Sequence, residues 1–273
     1  MTSSSGAKPR SDDGSISGAQ HPAEPAGRPM ARALRRDAAT DAACAATGLL
    51  AAASLAVLAE LSSHWYVAAV MTVFAAAVGI AARWLPSHPH HRFGAANRVT
   101  LLRLALVALL AGWLVESGTP PGWGIVVTAT LAASLDGLDG ALARRLQVAS
   151  EFGARFDMET DALLILVLSA LLWRSGKAGA WVLLAGGMRY LFLAAARPWP
   201  ALARPLPPST RRKTICVLLI VLLIAALVPI VPIVPASWLA AAGVLLVTAS
   251  FALDIGWLLR RHEPSPPSTG GAR

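Results

Sequence analysis

Charged residues are scarce in this chain. Asp, Glu, Lys and Arg together make up 14% of its 273 residues, and hydrophobic residues make up 55%. Soluble domains carry about 25% charged residues, so this sequence has too little charge to cover a surface that meets water on all sides. The apolar residues also fall in long unbroken blocks. An ordinary soluble domain is therefore excluded, and we predict an integral membrane protein.

Two further classes of protein are excluded by what is rare or missing. The two cysteines, Cys44 and Cys216, lie far apart inside apolar blocks, which excludes a disulfide framework and a short cysteine metal motif. The net charge of +9 comes mostly from basic residues at the ends of apolar blocks. Because these are not interleaved with aromatic residues, as in proteins that bind single-stranded nucleic acid, we expect no nucleic acid partner.

The apolar blocks predict eight transmembrane helices, since a spanning helix needs about 20 mostly apolar residues and lipid requires every backbone group to be paired. The blocks cover residues 43–61, 65–84, 99–116, 122–138, 160–173, 178–196, 214–232 and 237–258. The polar segments 1–38 and 261–273 predict disordered tails, and Met30 fits the true start as well as Met1. Residues 39–94 hold the first two spans, and residues 95–260 hold the other six.

The distribution of Lys and Arg predicts the orientation of these spans. Nearly all of them fall in loops on one side, and the opposite side has only Arg174 and Lys177, in one short loop. Basic residues favour the cytoplasmic side. We therefore expect both termini, and the Asp-rich segment 136–161 with the active site, to face the cytoplasm, in the inner membrane of a bacterium.

Four aspartates lie at or just beyond the ends of two apolar blocks: Asp136, Asp139, Asp157 and Asp161. Each costs about 2.5–3.5 kcal/mol at the centre of a membrane helix, so the group must lie near the interface, hold cations, or both. The first two are three residues apart and the last two are four apart, which places each pair on one helix face. Two such helices would form an all-oxygen cage for Mg²⁺ or Mn²⁺.

A simpler interpretation is that these carboxylates only form ion pairs with the nearby Arg144, Arg145 and Arg155. Small residues on the same faces argue against it. Gly140, Ala143 and Gly153 would let helix backbones or a flat ligand approach closely.

The segment resembles the CDP-alcohol phosphatidyltransferase family, whose pattern is DxxDGxxAR, eight residues, then GxxxDxxxD. Every fixed position of that pattern is matched here, by Asp136, Asp139, Gly140, Ala143, Arg144, Gly153, Asp157 and Asp161. A weaker element of the family, Asn-x-x-Thr-x-x-Arg, is matched by Asn97, Thr100 and Arg103. The resemblance implies an all-α integral membrane fold with a six-helix core over about residues 95–260, to which two N-terminal spans are added.

The resemblance also implies a reaction of phospholipid biosynthesis. A substituted phosphate would pass from a CDP-alcohol, usually CDP-diacylglycerol, to an acceptor hydroxyl, with release of CMP. The four aspartates would hold two Mg²⁺ or Mn²⁺ ions, and Asp161 is either a further ligand or the base that deprotonates the acceptor. The nucleotide would contact Gly140, Ala143, Arg144, Gly153 and Thr100. A homodimer is a further expectation.

The acceptor alcohol is left open by the motif, because Ala162 follows the last Asp where family members specific for glycerol phosphate commonly have Lys. Arg189 within the sixth span is costly without a partner, and basic residues also stand at the mouth of the seventh. The candidates for binding an anionic acceptor such as glycerol 3-phosphate are Arg155, Arg189, Arg212 and Lys213. Otherwise these residues set the topology and form ion pairs.

Two other functions use acidic residues in a membrane. An intramembrane prenyltransferase also binds Mg²⁺ through Asp-rich clusters, but its clusters usually lie far apart in the chain. A cation-coupled transporter would have acids at several positions within the spans, and outside the motif only Glu60 and Asp254 approach this, both near span ends.

Overall fold

The structure is a computed structural model that describes residues 27–59, 61–87, 92–117, 122–146, 150–199 and 209–260. The side chains of residues 27–31, 87, 138–146 and 259–260 lie outside this description. Within these ranges the regular structure is all helical, which confirms the predicted fold class.

The described residues form eight α-helices. They are α1 (Gly27–Leu58), α2 (His64–Ala82), α3 (Ala95–Gly112), α4 (Gly122–Leu146), α5 (Glu151–Arg174), α6 (Leu183–Ala195), α7 (Thr210–Leu227) and α8 (Ile233–Arg260). Two single 3₁₀ turns, Leu85–Ser87 and Ala180–Val182, precede α3 and α6.

The helix boundaries correct the sequence prediction at two places. Helix α1 already begins at Gly27, so residues 27–38 are helical and not part of a disordered tail; Ala, Arg and Leu, all good helix formers, dominate that stretch. Helix α5 begins at Glu151, about nine residues before the apolar block. Its start is set by Ser150, whose Oγ accepts a hydrogen bond from the Gly153 backbone N–H. The predicted tails at 1–26 and 261–273 lie outside the described residues.

Four helices in the described part of the chain are long and apolar enough to cross a membrane: Arg32–Leu58 of α1, His64–Ala82, Ala95–Gly112 and Ile233–Leu258 of α8. Helices α5 and α7 carry charged residues in their first turns, and α6 is short. Large apolar side chains such as Leu58, Trp65 and Trp238 are exposed on the helices or at their ends. This surface belongs to a membrane protein.

The bundle has two adjoining hydrophobic cores, and α3 contributes to both. One core contains buried leucines of α3, α5 and α7, among them Leu110, Leu168 and Leu223. The other joins α1 and α2 to α3 and the first turns of α5, where Phe93, Phe152 and Phe156 form an aromatic cluster. Helix α3 therefore packs between the two N-terminal helices and the rest of the bundle.

Polar contacts hold the loops together at one end of the bundle. Ser63, at the start of α2, donates from its backbone N–H (2.9 Å) and its Oγ (2.8 Å) to Glu116, which follows α3. Lys177 Nζ donates to the carbonyl oxygens of Ala226 (3.2 Å) and Val228 (2.6 Å) at the end of α7. Burial lowers the pKa of the Lys177 ammonium from its ordinary value. The ion pairs of Asp136, Asp157 and Asp161 with Arg103 lie at the opposite end of the bundle, the carboxylate end.

Candidate active site

Three of the four predicted metal ligands meet at the carboxylate end. Asp136 comes from α4, and Asp157 and Asp161 come from successive turns of α5. One oxygen from each of the three carboxylates can be chosen so that all lie within 4.8 Å of one another. Between 18% and 36% of each Asp side chain is exposed, so the carboxylates are not sealed from ligands. Three carboxylate oxygens grouped in this way could hold a hard divalent cation such as Mg²⁺ or Mn²⁺.

Arg103 of α3 joins these three carboxylates. Its Nη1 contacts Asp157 and lies 3.4 Å from Asp136 Oδ1, and its Nη2 contacts Asp161. The orientation of the guanidinium is also fixed by its Nε, which donates to the Ala132 carbonyl oxygen of α4 at 3.1 Å. Only 1% of the Arg103 side chain is exposed. The sequence matched Arg103 to a family element, but its ion pairs depend on the packing of three helices.

The remaining motif residues on α4 follow Asp136 along the same helix. The predicted metal ligand Asp139 and the predicted nucleotide contacts Gly140, Ala143 and Arg144 lie on the helical backbone of α4 directly after Asp136. Their side chains lie outside the described residues.

Gly153 and Thr100, the other predicted nucleotide contacts, lie between helices. A Cβ added to Gly153 would stand 2.8 Å from Asn97 Oδ1, so the missing side chain lets α5 approach α3. Thr100 is buried on α3, and its Oγ1 donates to the Ala96 carbonyl oxygen at 3.2 Å. Neither residue lines the cavity described next.

A cavity of about 630 Å³ opens beside the three aspartates. Asp136, Asp157 and Asp161 contribute to its lining from α4 and α5. Other parts of the lining come from α6, α7 and α8, and they include both cations and apolar side chains. The cations of the lining include Arg189, Arg212 and Lys213, and its apolar side chains include Ile220 and Phe251. The cavity therefore brings carboxylates, cations and an apolar surface into one space.

Three of the four predicted acceptor residues line this cavity, and two of these have acidic partners. Arg189, predicted either to bind an anionic acceptor or to form an ion pair, has an acidic partner in the protein. Its Nη2 contacts Glu159 of α5, and its Nη1 lies 2.8 Å from Met158 Sδ. The sequence missed this pair because its members are 30 residues apart on different helices. Arg212 lies 3.5 Å from buried Asp254 of α8.

Lys213 differs from those two cations. Among the described residues, no acidic side chain forms an ion pair with it, and it is exposed where it lines the cavity. The fourth candidate, Arg155, lies outside the cavity lining. Its Nη2 pairs with Glu151 at 2.6 Å on the surface of the first turns of α5. The structure thus separates Arg155 from the other three.

Comparison with known proteins agrees with this geometry. The structure is an all-helical membrane bundle with a carboxylate cluster open to a cavity, and residues 93–252 match the model of the CDP-alcohol phosphatidyltransferase family. That match covers more than half of the chain, so the protein belongs to the CDP-alcohol phosphatidyltransferase family. Members of the family are enzymes that transfer substituted phosphate groups. The prenyltransferase and transporter alternatives are thereby set aside.

One curated relative has a more specific name. The chain is 31% identical over 111 residues to a CDP-diacylglycerol–glycerol-3-phosphate 3-phosphatidyltransferase of Pseudomonas fluorescens. The similarity covers 38% of this chain and 55% of the relative, so the chain spans about half the length of that protein. No solved structure matches the chain significantly. The family match begins at residue 93, after α1 and α2.

Proposed function

We propose that this protein transfers the phosphatidyl group of CDP-diacylglycerol to a hydroxyl of glycerol 3-phosphate, releasing CMP. The observation that carries the proposal is the shared cavity, in which Asp136, Asp157 and Asp161 lie together with Arg189, Arg212 and Lys213. The carboxylates suit the donor half of the reaction, and the cations suit an acceptor that carries a phosphate. The name of the Pseudomonas relative supports the same pair of substrates.

The bond changes follow from this assignment. The acceptor oxygen forms a bond to the phosphorus that carries the diacylglycerol, and the bond from that phosphorus to the CMP oxygen breaks. The acceptor proton leaves with a base. Asp161 is the candidate that the family resemblance implies, and its side chain lines the cavity. Mg²⁺ or Mn²⁺ held by the aspartates would neutralise the negative charge that develops on the leaving CMP.

The cations would position the acceptor. Guanidinium and ammonium groups form charge-assisted hydrogen bonds with phosphate, and a fixed acceptor reacts faster than one that diffuses freely. Lys213 has the clearest part in this step, since no described acidic residue competes for its charge. The apolar side of the cavity, which includes Ile220 and Phe251, is suited to the part of the donor next to its lipid tails. The cytoplasmic orientation of the site, the second ion and the homodimer stay predictions.

The test is an assay of CMP release from labelled CDP-diacylglycerol by the purified protein in detergent. Glycerol 3-phosphate, glycerol, serine and inositol are offered as acceptors, each with Mg²⁺, Mn²⁺ or EDTA. We expect release only with glycerol 3-phosphate and a metal, and a loss of at least about 100-fold in Asp157→Asn and Asp161→Asn. The matched control is Asp41→Asn on α1, outside the cavity, which keeps its activity.

Each part of the proposal can fail separately. Full activity of both cavity variants would remove the aspartates from the mechanism. Release of CMP with serine or inositol but not with glycerol 3-phosphate would keep the donor chemistry and replace the acceptor. Full activity in EDTA would exclude the metal.

A further inference from the structure

Three carboxylates within 4.8 Å of one another repel each other strongly in a partly buried site. Coulomb repulsion at such distances rises as the surroundings become less polar, and the aspartates here lie where buried residues of α3 and α5 pack. A metal relieves this repulsion once it is bound. Without a metal, a positive charge placed among the carboxylates would reduce their repulsion and favour the packing of α4 near α5 at this end.

Arg103 is placed to supply that charge. It is the residue of α3 that reaches all three carboxylates, and it contacts the Oδ1 atom of each. Its planar fork matches carboxylates in fixed directions, which a lysine ammonium cannot do. The hydrogen bond from Nε to the Ala132 carbonyl oxygen fixes the guanidinium to the backbone of α4. The contacts therefore connect α3, α4 and α5 through one side chain.

The net charge of the three carboxylates and Arg103 is still negative, so the site can attract a cation. Three ionised carboxylates and one guanidinium leave two negative charges, without counting Asp139, whose side chain lies outside the described residues. A divalent cation is therefore still attracted to the site. Each carboxylate has a second oxygen, and each Asp side chain keeps part of its surface exposed. Arg103 thus reduces the repulsion without cancelling the negative charge that attracts a metal.

We propose that Arg103 is a positioning residue that holds Asp136, Asp157 and Asp161 together while the site has no metal. It acts as a built-in counter-cation of the cage. This inference deepens the proposed function by giving the metal site a preassembled state. Its first test uses neither metal nor substrate, so it can fail while the proposed function stands, and the converse also holds.

The first test compares melting temperatures of the purified protein in EDTA. Unfolding is monitored by intrinsic tryptophan fluorescence. Arg103→Met leaves the buried carboxylates without their cation, so we expect a fall in Tm on the order of 10 °C. Asp157→Asn removes one negative charge. On the wild-type background it removes a partner of Arg103 and lowers Tm, whereas on the Arg103→Met background it reduces repulsion and raises Tm. Equal shifts on both backgrounds would overturn the proposal.

The second test adds Mg²⁺. A divalent ion replaces the missing cation, so Mg²⁺ should raise the Tm of Arg103→Met more than that of the wild type. Equal increases would show that Arg103 only fills space, and would overturn the proposal. The matched control is Arg211→Met, because Arg211 also pairs with a buried carboxylate, that of Asp254, and does not line the cavity. Its loss of Tm should be the same with and without Mg²⁺.

If Arg103→Met does not fold, recovery of folded protein in the double variant Arg103→Met/Asp157→Asn supports the proposal. If neither folds, Arg103→Lys takes its place in both tests, since it keeps the charge and loses the fork. Asp157→Asn should then again lower the Tm of the wild type and raise that of the Arg103 variant, by smaller amounts. Mg²⁺ should again raise the Tm of the Arg103 variant more than that of the wild type. Additive shifts together with an unchanged response to Mg²⁺ would overturn the proposal.

Discussion

Gly153 and Asn97 are in contact across the interface between α5 and α3, and a Cβ at position 153 would stand 2.8 Å from Asn97 Oδ1. Asn97 is buried, and its Nδ2 donates to the Phe93 carbonyl oxygen. The contact lies one turn before Asp157 on α5 and two turns before Arg103 on α3. The approach of these two helices therefore brings the guanidinium to the carboxylates.

Gly153→Ala should separate α5 from α3. The new methyl group would meet Asn97 Oδ1 and, at 3.2 Å, Ser150 Oγ, which caps α5. Overpacking of this kind costs about 1–3 kcal/mol, so we expect a lower Tm together with lower activity. The measurements are thermal unfolding in detergent and CMP release.

Shortening Asn97 tests whether its side chain causes the lower Tm of Gly153→Ala. Asn97→Ala alone loses the hydrogen bond to Phe93 and lowers Tm. In the double variant Gly153→Ala/Asn97→Ala the methyl group has space, so the combined loss should be smaller than the sum of the two single losses. An additive result would place the effect of Gly153→Ala elsewhere.

Gly186 has a similar part in the packing of α6 on α5. A Cβ at this position would lie 2.3 Å from the Leu166 Cα, and backbone cannot rotate away as a side chain can. Gly186→Ala should lower Tm by several degrees, since overpacking costs about 1–3 kcal/mol or more. The neighbouring Gly187 is the control, because a Cβ there meets no atom within 4 Å. Gly187→Ala should leave Tm unchanged or raise it slightly.

Lys213→Ala should weaken binding of the acceptor. The loss of one charge-assisted hydrogen bond costs about 1.5–3 kcal/mol, which corresponds to an increase of roughly 10-fold or more in KM for glycerol 3-phosphate, with KM for CDP-diacylglycerol nearly unchanged. Arg155→Ala is the control, since Arg155 pairs with Glu151 outside the cavity lining. An equal increase of KM in both variants would indicate a general loss of positive charge and not a specific contact.

Asp37 attaches α1 to the start of α3. Its Oδ2 accepts a hydrogen bond of 2.8 Å from the Phe93 backbone N–H, next to the N-cap of α3. Asp37→Ala leaves this partly buried donor without its partner, so we expect a loss of about 1–3 kcal/mol in the free energy of unfolding. Thermal or denaturant unfolding in detergent measures it.

Asp41 provides the comparison for Asp37. It lies one turn further along α1 and pairs with Arg98 at 2.8 Å, and 55% of the Arg98 side chain is exposed. Exposed ion pairs contribute little. Asp37 also lies 3.6 Å from Arg98, but it has the hydrogen bond to Phe93 in addition, so Asp41→Ala should cost less than Asp37→Ala. If Asp41→Ala costs as much or more, the hydrogen bond to Phe93 contributes little to holding α1 in place.

The sequence by itself determined the class of the protein and the position of its acidic segment. Low charge and long apolar blocks require a membrane environment, and the eight blocks match the eight α-helices found in the described part of the chain. The spacing of Asp136, Asp139, Asp157 and Asp161 indicated a cation site, because residues three or four apart share a helix face. These properties depend on composition and local periodicity, which a sequence states directly.

Only the tertiary structure decided which charges meet. Arg103 is more than 50 residues from Asp157 and Asp161 in the chain, and Arg189 is 30 residues from Glu159. Arg155, which is two residues from Asp157, lies outside the cavity, whereas Lys213 on α7 lines it. Periodicity places a residue on a face of its own helix, but the packing of side chains between helices selects the partner that this face meets. The Asp-rich segment thus became a site with a built-in cation.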